Sequence, residues 1–441
     1  MDWDALGRET VETLTRYLRV DTTNPPGNEI AGAQLLAEVL AASGVPSEIA
    51  ESEPGRANLY ARLGGDGSLP GIVLHHHIDV VYADRRYWTM DPFAGVLKNG
   101  FVYGRGTLDM KGLGIVQLVA FLALKRAGVR LARDLVYLAT ADEEAGSRHG
   151  ARFVEHHRRH WLEGAGYALS ETGTIEAGPG LRAPVGQIVI SERTALPLRL
   201  TARGEPGHGS MPWPDTAPNR LVRALSRLLA AERPVRVLPE VQEFWRLYGS
   251  ALAGDAGRGL DDLERSLRDP RFRARFLANR YAAATVRTTF ALTMLKGSDK
   301  RNVIPAEAVA DVDCRTLPGD EPEEIVSWVR SVIADDACDV TVVGDAKAAN
   351  VSAPDTGLYK ALADGYRRRA PGAVVAPALS AAFTDNWVFR HCGLDAYGWT
   401  PFVLDAREWR GMHGNDERIS LENLHGGVRA YIEMLIAVAA P

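Results

Sequence analysis

Five short segments of this chain carry residue types that a protein core does not need: His77-Ile78-Asp79, Gly104-Arg105-Gly106-Thr107-Leu108-Asp109-Met110-Lys111, Asp142-Glu143-Glu144, Ser170-Glu171-Thr172 and His413-Gly414-Asn415-Asp416-Glu417. Several closely follow an apolar, strand-like run. In open α/β folds the ends of strands are where ligands and metals are held. Two histidines and three carboxylates can bind two metal ions about 3.5 Å apart and leave a position for water. The chemistry implied is hydrolysis. Cysteine ligands are not expected, because Cys314, Cys338 and Cys392 lie far apart without a C-x-x-C spacing. Their odd number also argues against a disulfide framework and for a reducing compartment.

His77 and Asp79 are two apart on a strand and so share a face. His77 can ligate a metal while Asp79 accepts from its other ring N–H or from a neighbouring ligand. His75 is on the same face and His76 on the opposite one, and both read as core histidines. Asp109 joins a Gly-Arg-Gly loop to a buried helix. It suits a ligand shared by two metals, with glycines allowing close backbone approach, although alone it would read as a helix N-cap. The adjacent carboxylates of Asp142, Glu143 and Glu144 repel one another unless a cation compensates. One division gives Glu144 to the metal and leaves Glu143 as a general base tuned towards neutrality by burial. Glu171 and His413 can complete the ligand set, though each alone is an ordinary loop residue. His156 and His160 could pair as i, i+4 neighbours on a helix, but the intervening arginines favour a solvated basic face.

These residues need an α/β scaffold to bring them together. Strand-like runs at Gly71 to Val81 and Leu135 to Thr140 alternate with helical ones at Met110 to Ala127 and Arg152 to Leu162. That order predicts a mainly parallel sheet covered on both faces. From Val189 to Ala202 apolar and polar residues alternate, as in a half-exposed antiparallel strand. A β-α-β-β-α-β-like order follows, with a charged, helical-looking insertion at about 234–280. The expected organisation is a first domain in two parts, 1–188 and 348–441, with a second domain inserted at 189–347. At 441 residues two domains are the better expectation. A content of 46% hydrophobic and 24% charged residues suits a globular protein, and a net charge of -5 gives no reason to expect nucleic acid or membrane as partner. The acidic start Met1-Asp2-Trp3-Asp4 lacks signal-peptide character, and no long apolar run suggests a membrane span, so a cytoplasmic location is expected.

Further motifs appear in order along nearly the whole chain. They include Asn24-Pro25-Pro26-Gly27-Asn28-Glu29, Trp88…Asp91-Pro92-Phe93, Gly207-His208-Gly209-Ser210 and Asn302-Val303-Ile304-Pro305. Together with the five segments they resemble the zinc amidohydrolase and peptidase family of aminoacylase, glutamate carboxypeptidase, acetylornithine deacetylase and succinyl-diaminopimelate desuccinylase. The resemblance implies two zinc ions, with cobalt or manganese as substitutes. His77 and Glu171 would be terminal ligands of one ion, Glu144 and His413 of the other, and Asp109 would bridge them. Glu143 would activate the shared water, Asp79 would orient His77, and the Asp109–Met110 peptide would be cis. The inserted domain would be a ferredoxin-like lid and dimerisation domain, making a homodimer. His208 would reach a neighbouring subunit's site and hold the oxyanion, while Asn302 and Arg315 would bind a substrate carboxylate.

The implied reaction is hydrolysis of an N-acyl amino acid or short peptide at an amide bond beside a free carboxylate. Its alternatives are a carbamoyl- or allantoate-type amidohydrolase, or a catalytically silent relative that binds a carboxylated ligand. The chain departs from the family at His76, where a glycine often precedes the His-x-Asp motif, at Tyr82, and at Thr172-Gly173 after Glu171. Ligand types survive these changes, which bear instead on substrate preference.

Overall fold

The structure is a computed structural model that describes residues 1–344 and 348–440. Its centre is the strand Gly71–His77, buried at every position. Parallel neighbours Leu135–Thr140 and Ala165–Ser170 flank it, and Asp395–Gly398 continues the parallel run beyond Ala165–Ser170. The hairpin Ser47–Glu53/Arg56–Leu63 adds antiparallel strands on one side, in a mixed sheet of ten strands.

Side-chain alternation explains the layers. Ile72 and Leu74 enter the larger core beside the helix Lys111–Arg126, whereas Val73 packs into a separate cluster with Val154, Val388 and Phe389. Residues 111–124 of that helix are buried throughout, beneath Trp3–Leu18 and Leu421–Ala439. An all-round apolar helix is expected in such a sandwiched place. Each fully buried leucine there contributes about 1.5–3 kcal/mol. Gly114 makes room for a side chain from the sheet, since a Cβ there would meet His76 Cδ2 at 2.3 Å. No described helix is long and apolar enough to cross a membrane.

A second sheet has its own core. Its β-α-β-β-α-β series runs Leu198–Arg203, Ala217–Ala230, Thr289–Lys296, Glu307–Thr316, Pro322–Ile333 and Cys338–Val342. Numbered in chain order, its four main strands lie 4-1-3-2 and all pair antiparallel. Burial alternates along Glu307–Thr316, the signature of a sheet with one covered face. Both helices supply residues to that core, including Leu221, Leu225, Ile325 and Val329.

Two expectations need correction. Val189 to Ala202 is not one alternating strand: Val185–Glu192 is nearly all buried and pairs in parallel with Val374–Ser380 in the large sheet. Only Leu198–Arg203 joins the small sheet, so the changeover falls after Glu192. A change of sheet leaves no mark on the pattern of apolar and polar residues, so the sequence does not show this break. Second, the helices between Pro239 and Val286 bury Phe244, Trp245 and Phe276 with Ala376, Ala378 and Leu379 of the large sheet. The insertion expected at 234–280 therefore packs on the first domain's sheet. The expected boundary at 347/348 touches residues 345–347, which lie outside the described residues.

Candidate metal centre

Parallel pairing sets His77 level with Thr140, so the loop carrying Asp142, Glu143 and Glu144 opens beside His77. Glu171 leaves the neighbouring strand immediately after Ser170. Asp109 arrives from the loop before the buried helix, and Gly112 allows the close approach: a Cβ there would lie 2.1 Å from the Thr107 carbonyl oxygen. The Asp109–Met110 peptide is cis. His413 comes from a distant loop, with φ of 56° in the left-handed region.

Asp109 stands between the histidines. Its Oδ1 lies 3.0 Å from His77 Nε2 and its Oδ2 lies 2.9 Å from His413 Nε2. Glu171 Oε2 approaches His77 Nε2 at 3.8 Å, and Glu144 Oε1 approaches His413 Nε2 at 3.3 Å. One ligand atom each from His77, Asp109 and Glu144 lies within 4.8 Å of the others, as does one each from His77, Glu143 and Glu171. Among the described residues no arginine or lysine pairs with Asp109, Glu143, Glu144 or Glu171. The buried Glu144 Oε1 meets no donor besides the His413 ring among the described residues. A buried carboxylate oxygen facing only an imidazole, in a set of imidazoles and carboxylates, fits divalent metal ions.

The electrostatics agree. Burial alone would lower the His77 pKa, but Asp109, Asp79 and Glu171 hold it well above the ordinary histidine value. Asp109 and Glu144 raise His413 to about 10. Burial and the nearby Glu171 charge push Glu143 well above the carboxylate range, and burial with Asp109 takes Glu171 to about 8. Asp109 is held well below that range by His413 and His77, against the effect of burial. In this cluster protons occupy the role that cations would take.

Asp79 is placed differently from the simplest expectation. His77 Nδ1 is 2.9 Å from the Asp79 backbone carbonyl and 3.5 Å from its carboxylate. The Asp79 carboxylate instead accepts the backbone N–H groups of Glu143 and Glu144, both at 3.2 Å, and Asn24 Nδ2 at 2.8 Å. It fixes the turn that presents the two glutamates. Asp142 is compensated by Arg56 at 2.7 Å, and Arg56 also forks onto Glu29. Asn24 and Glu29 sit in a motif read from sequence as a turn and helix start, with no role at the site.

The sequence motifs leave Glu417 without a role, although it closes the His413 segment. Its buried carboxylate accepts the backbone N–H groups of Gly106, Leu108 and Asp109 at 3.2, 2.7 and 3.2 Å and pairs with Arg105 at 2.5 Å. It thereby fastens the His413 loop to the Asp109 loop.

The remaining expected residues stand apart. His208 is exposed on the two-residue strand Gly207–His208, which pairs with Val303–Ile304, and its Nδ1 lies 2.7 Å from Ser210 Oγ. Asn302 is exposed beside the partner strand, its carbonyl accepting Gly209 N–H at 2.9 Å. Arg315 is half-buried and pairs with Asp313 at 2.9 Å. Among the described residues, no hydrogen bond or ion pair joins these three to the metal-type cluster.

Histidines and carboxylates gathered at parallel strand ends, without balancing basic side chains, mark a metal-dependent hydrolase. Residues 73–437 match the profile of Peptidase family M20/M25/M40, and the chain belongs to that family. It is a metallo-hydrolase acting on amide or peptide bonds. The chain is similar to the N-fatty-acyl-amino acid synthase/hydrolase PM20D1 of Xenopus tropicalis, 31% identical over 388 residues that span 86% of this chain and 75% of that protein. Aminoacylase-1 of Sus scrofa is 28% identical over 98% of this chain and 97% of its own. In fold it resembles the M20 family metallo-carboxypeptidase Sso-CP2 from Sulfolobus solfataricus, with a TM-score of 0.74 at 18% identity, covering 97% of this chain and 98% of that one.

Proposed function

We propose that this chain cleaves the amide bond of an N-acyl amino acid or short peptide beside a free carboxylate, using two zinc ions. His77, Asp109 and Glu171 would hold one ion, and His413, Asp109 and Glu144 the other. Cobalt or manganese would substitute, because imidazole and carboxylate donors accept several divalent metals. When bound, the ions supply Lewis-acid polarisation of the scissile carbonyl and acidify the attacking water. Glu143 takes the proton from that water and delivers it to the leaving amine nitrogen, a transfer suited to a carboxylate whose proton affinity burial and Glu171 have raised. Asp79 keeps Glu143 and Glu144 in position through their backbone N–H groups.

The observation that carries this reading is Asp109, which offers one carboxylate oxygen to each histidine at 3.0 and 2.9 Å. His208 would donate to the oxyanion of a neighbouring subunit's substrate, and Asn302 and Arg315 would bind the substrate carboxylate. That assignment goes with a homodimer formed through the second domain. The reading divides the chain into 1–188 and 348–441 around 189–347, with its first boundary moved to follow Glu192. Three buried free cysteines suit a reducing cytoplasm.

The test is a hydrolysis screen on zinc-loaded protein with N-acetyl, N-succinyl, N-fatty-acyl and dipeptide substrates. Glu143→Ala should keep the wild-type metal content and lose kcat by about 10²–10⁴-fold. Unchanged turnover in that variant on any cleaved substrate would refute the proposed base.

A further inference from the structure

Beneath the cluster lies a hydrogen-bonded system that the reaction does not use directly. Its hub is Asp385, fully buried, which begins the segment leading into the helix Asn386–His391. Thr140 Oγ1 donates to Asp385 Oδ2 at 3.0 Å, and Ser147 Oγ donates to Asp385 Oδ1. His75 Nε2 lies 3.2 Å from Asp385 Oδ2 and 2.8 Å from Thr140 Oγ1, and His75 Nδ1 lies 2.8 Å from Ser170 Oγ.

One proton arrangement satisfies this system. The Thr140 hydroxyl spends its single proton on Asp385, so His75 Nε2 must be the donor towards Thr140 and Asp385. His75 Nδ1 then accepts from the Ser170 hydroxyl. The adjacent His76, equally buried, makes a single hydrogen bond, 3.3 Å to the Tyr17 hydroxyl, and leaves Nδ1 without a hydrogen-bond partner. His76 is a packing residue, whereas His75 is a link.

The positions linked are those that govern the site. Thr140 and Ser147 stand at the two ends of the loop that presents Glu143 and Glu144, Ser170 immediately precedes Glu171, and His75 precedes His77 by two on one strand. A buried carboxylate is a poor way to gain stability, because well-packed apolar groups do as well or better. Its worth lies in holding specific partners in one geometry. We infer that Asp385 is a positioning residue: through Thr140, Ser147, His75 and Ser170 it fixes the mutual placement of Glu143, Glu144, Glu171 and His77. This rests on the proposed metal-ligand assignment.

The test measures metal retention directly, with zinc ion as the probe and a competing chelator, alongside kcat, KM and thermal melting. Asp385→Asn keeps the size of the side chain but presents an amide N–H₂ to hydroxyl donors. It should lose zinc at about 10- to 100-fold lower chelator concentration, with a comparable fall in kcat and little change in KM. Ser147→Ala should shift zinc retention in the same direction by less, and it decides the matter if Asp385→Asn does not fold. Wild-type zinc retention in a folded variant whose melting temperature alone falls would overturn the inference and make Asp385 a core group. The chelator measurement is independent of substrate. A wild type that cleaved nothing would refute the proposed function while zinc retention still judged Asp385.

Discussion

The metal-type cluster and the two-stranded ribbon carrying His208 and Asn302 are built in opposite ways. Around the cluster, side chains from five chain segments converge, and buried groups such as Asp79 and Glu417 hold the loops that carry them. The ribbon has two residue pairs, and its histidine is exposed with a local serine as its hydrogen-bond partner. A centre that must bind metal with little reorganisation is worth preorganising. In the role proposed for His208, meeting a substrate or another subunit's surface, a group would gain nothing from being fastened beforehand and would acquire its place only when that surface arrived.

The sharpest way to break the contrast is to loosen the fastened half. Glu417→Ala would leave the buried Arg105 guanidinium unpaired and free the backbone N–H groups of Gly106, Leu108 and Asp109. The expected cost is about 3–5 kcal/mol in urea unfolding, together with reduced metal content. A variant as stable as wild type would mean that the two loops are held by something else. The ribbon should respond in the other way. His208→Ala should lower kcat by about 10²-fold and leave melting unchanged. Mixing it with Glu143→Ala separates action within a chain from action across a dimer. Recovery of activity on mixing supports action in a neighbouring site, and none would place His208 at its own.

The smallest effect is electrostatic. In the metal-free protein the His413 pKa is raised from 6.5 to about 10 by Asp109 and Glu144. Its contribution to stability is therefore fully present below pH 6.5 and lost as pH rises through about 10. Melting of metal-free protein should decline modestly across that window, and zinc loading should remove the decline. Because His77 and His413 hold protons in that state, zinc uptake should also release protons, measurable by titration in buffers of different ionisation enthalpy. Uptake without proton release would show that the two histidines do not bind the metal.

Much of the scaffold was legible because periodicity is a local property. Leu135–Thr140 was read to the residue, and the helix Lys111–Arg126 to within one at each end. The small sheet's β-α-β-β-α-β order was also visible. Less legible were the pairing of Val185–Glu192 within the large sheet and the packing of the helices between Pro239 and Val286 against that sheet. Apolar character shows that a segment is buried but does not say against what. The expected ligands come together at Asp109, and the motifs carried that information better than any single residue did. Asp385 could not be found from its neighbours in sequence, because Ser147 and Thr140 lie 238 and 245 residues away in the chain and His75 further still.

By itself the sequence determined the kinds of atom available for chemistry, the alternating elements that would carry them, and the family to which the chain belongs. Residue type and local spacing are enough for that. The tertiary structure decided which groups meet: that Asp109 faces both histidines, that Asp79 holds the glutamate turn more than the His77 ring, and that Glu417 and Asp385 secure the loops beneath. Hydrogen bonds and ion pairs depend on separations of a few ångströms between residues hundreds of positions apart, and only the folded chain sets those separations.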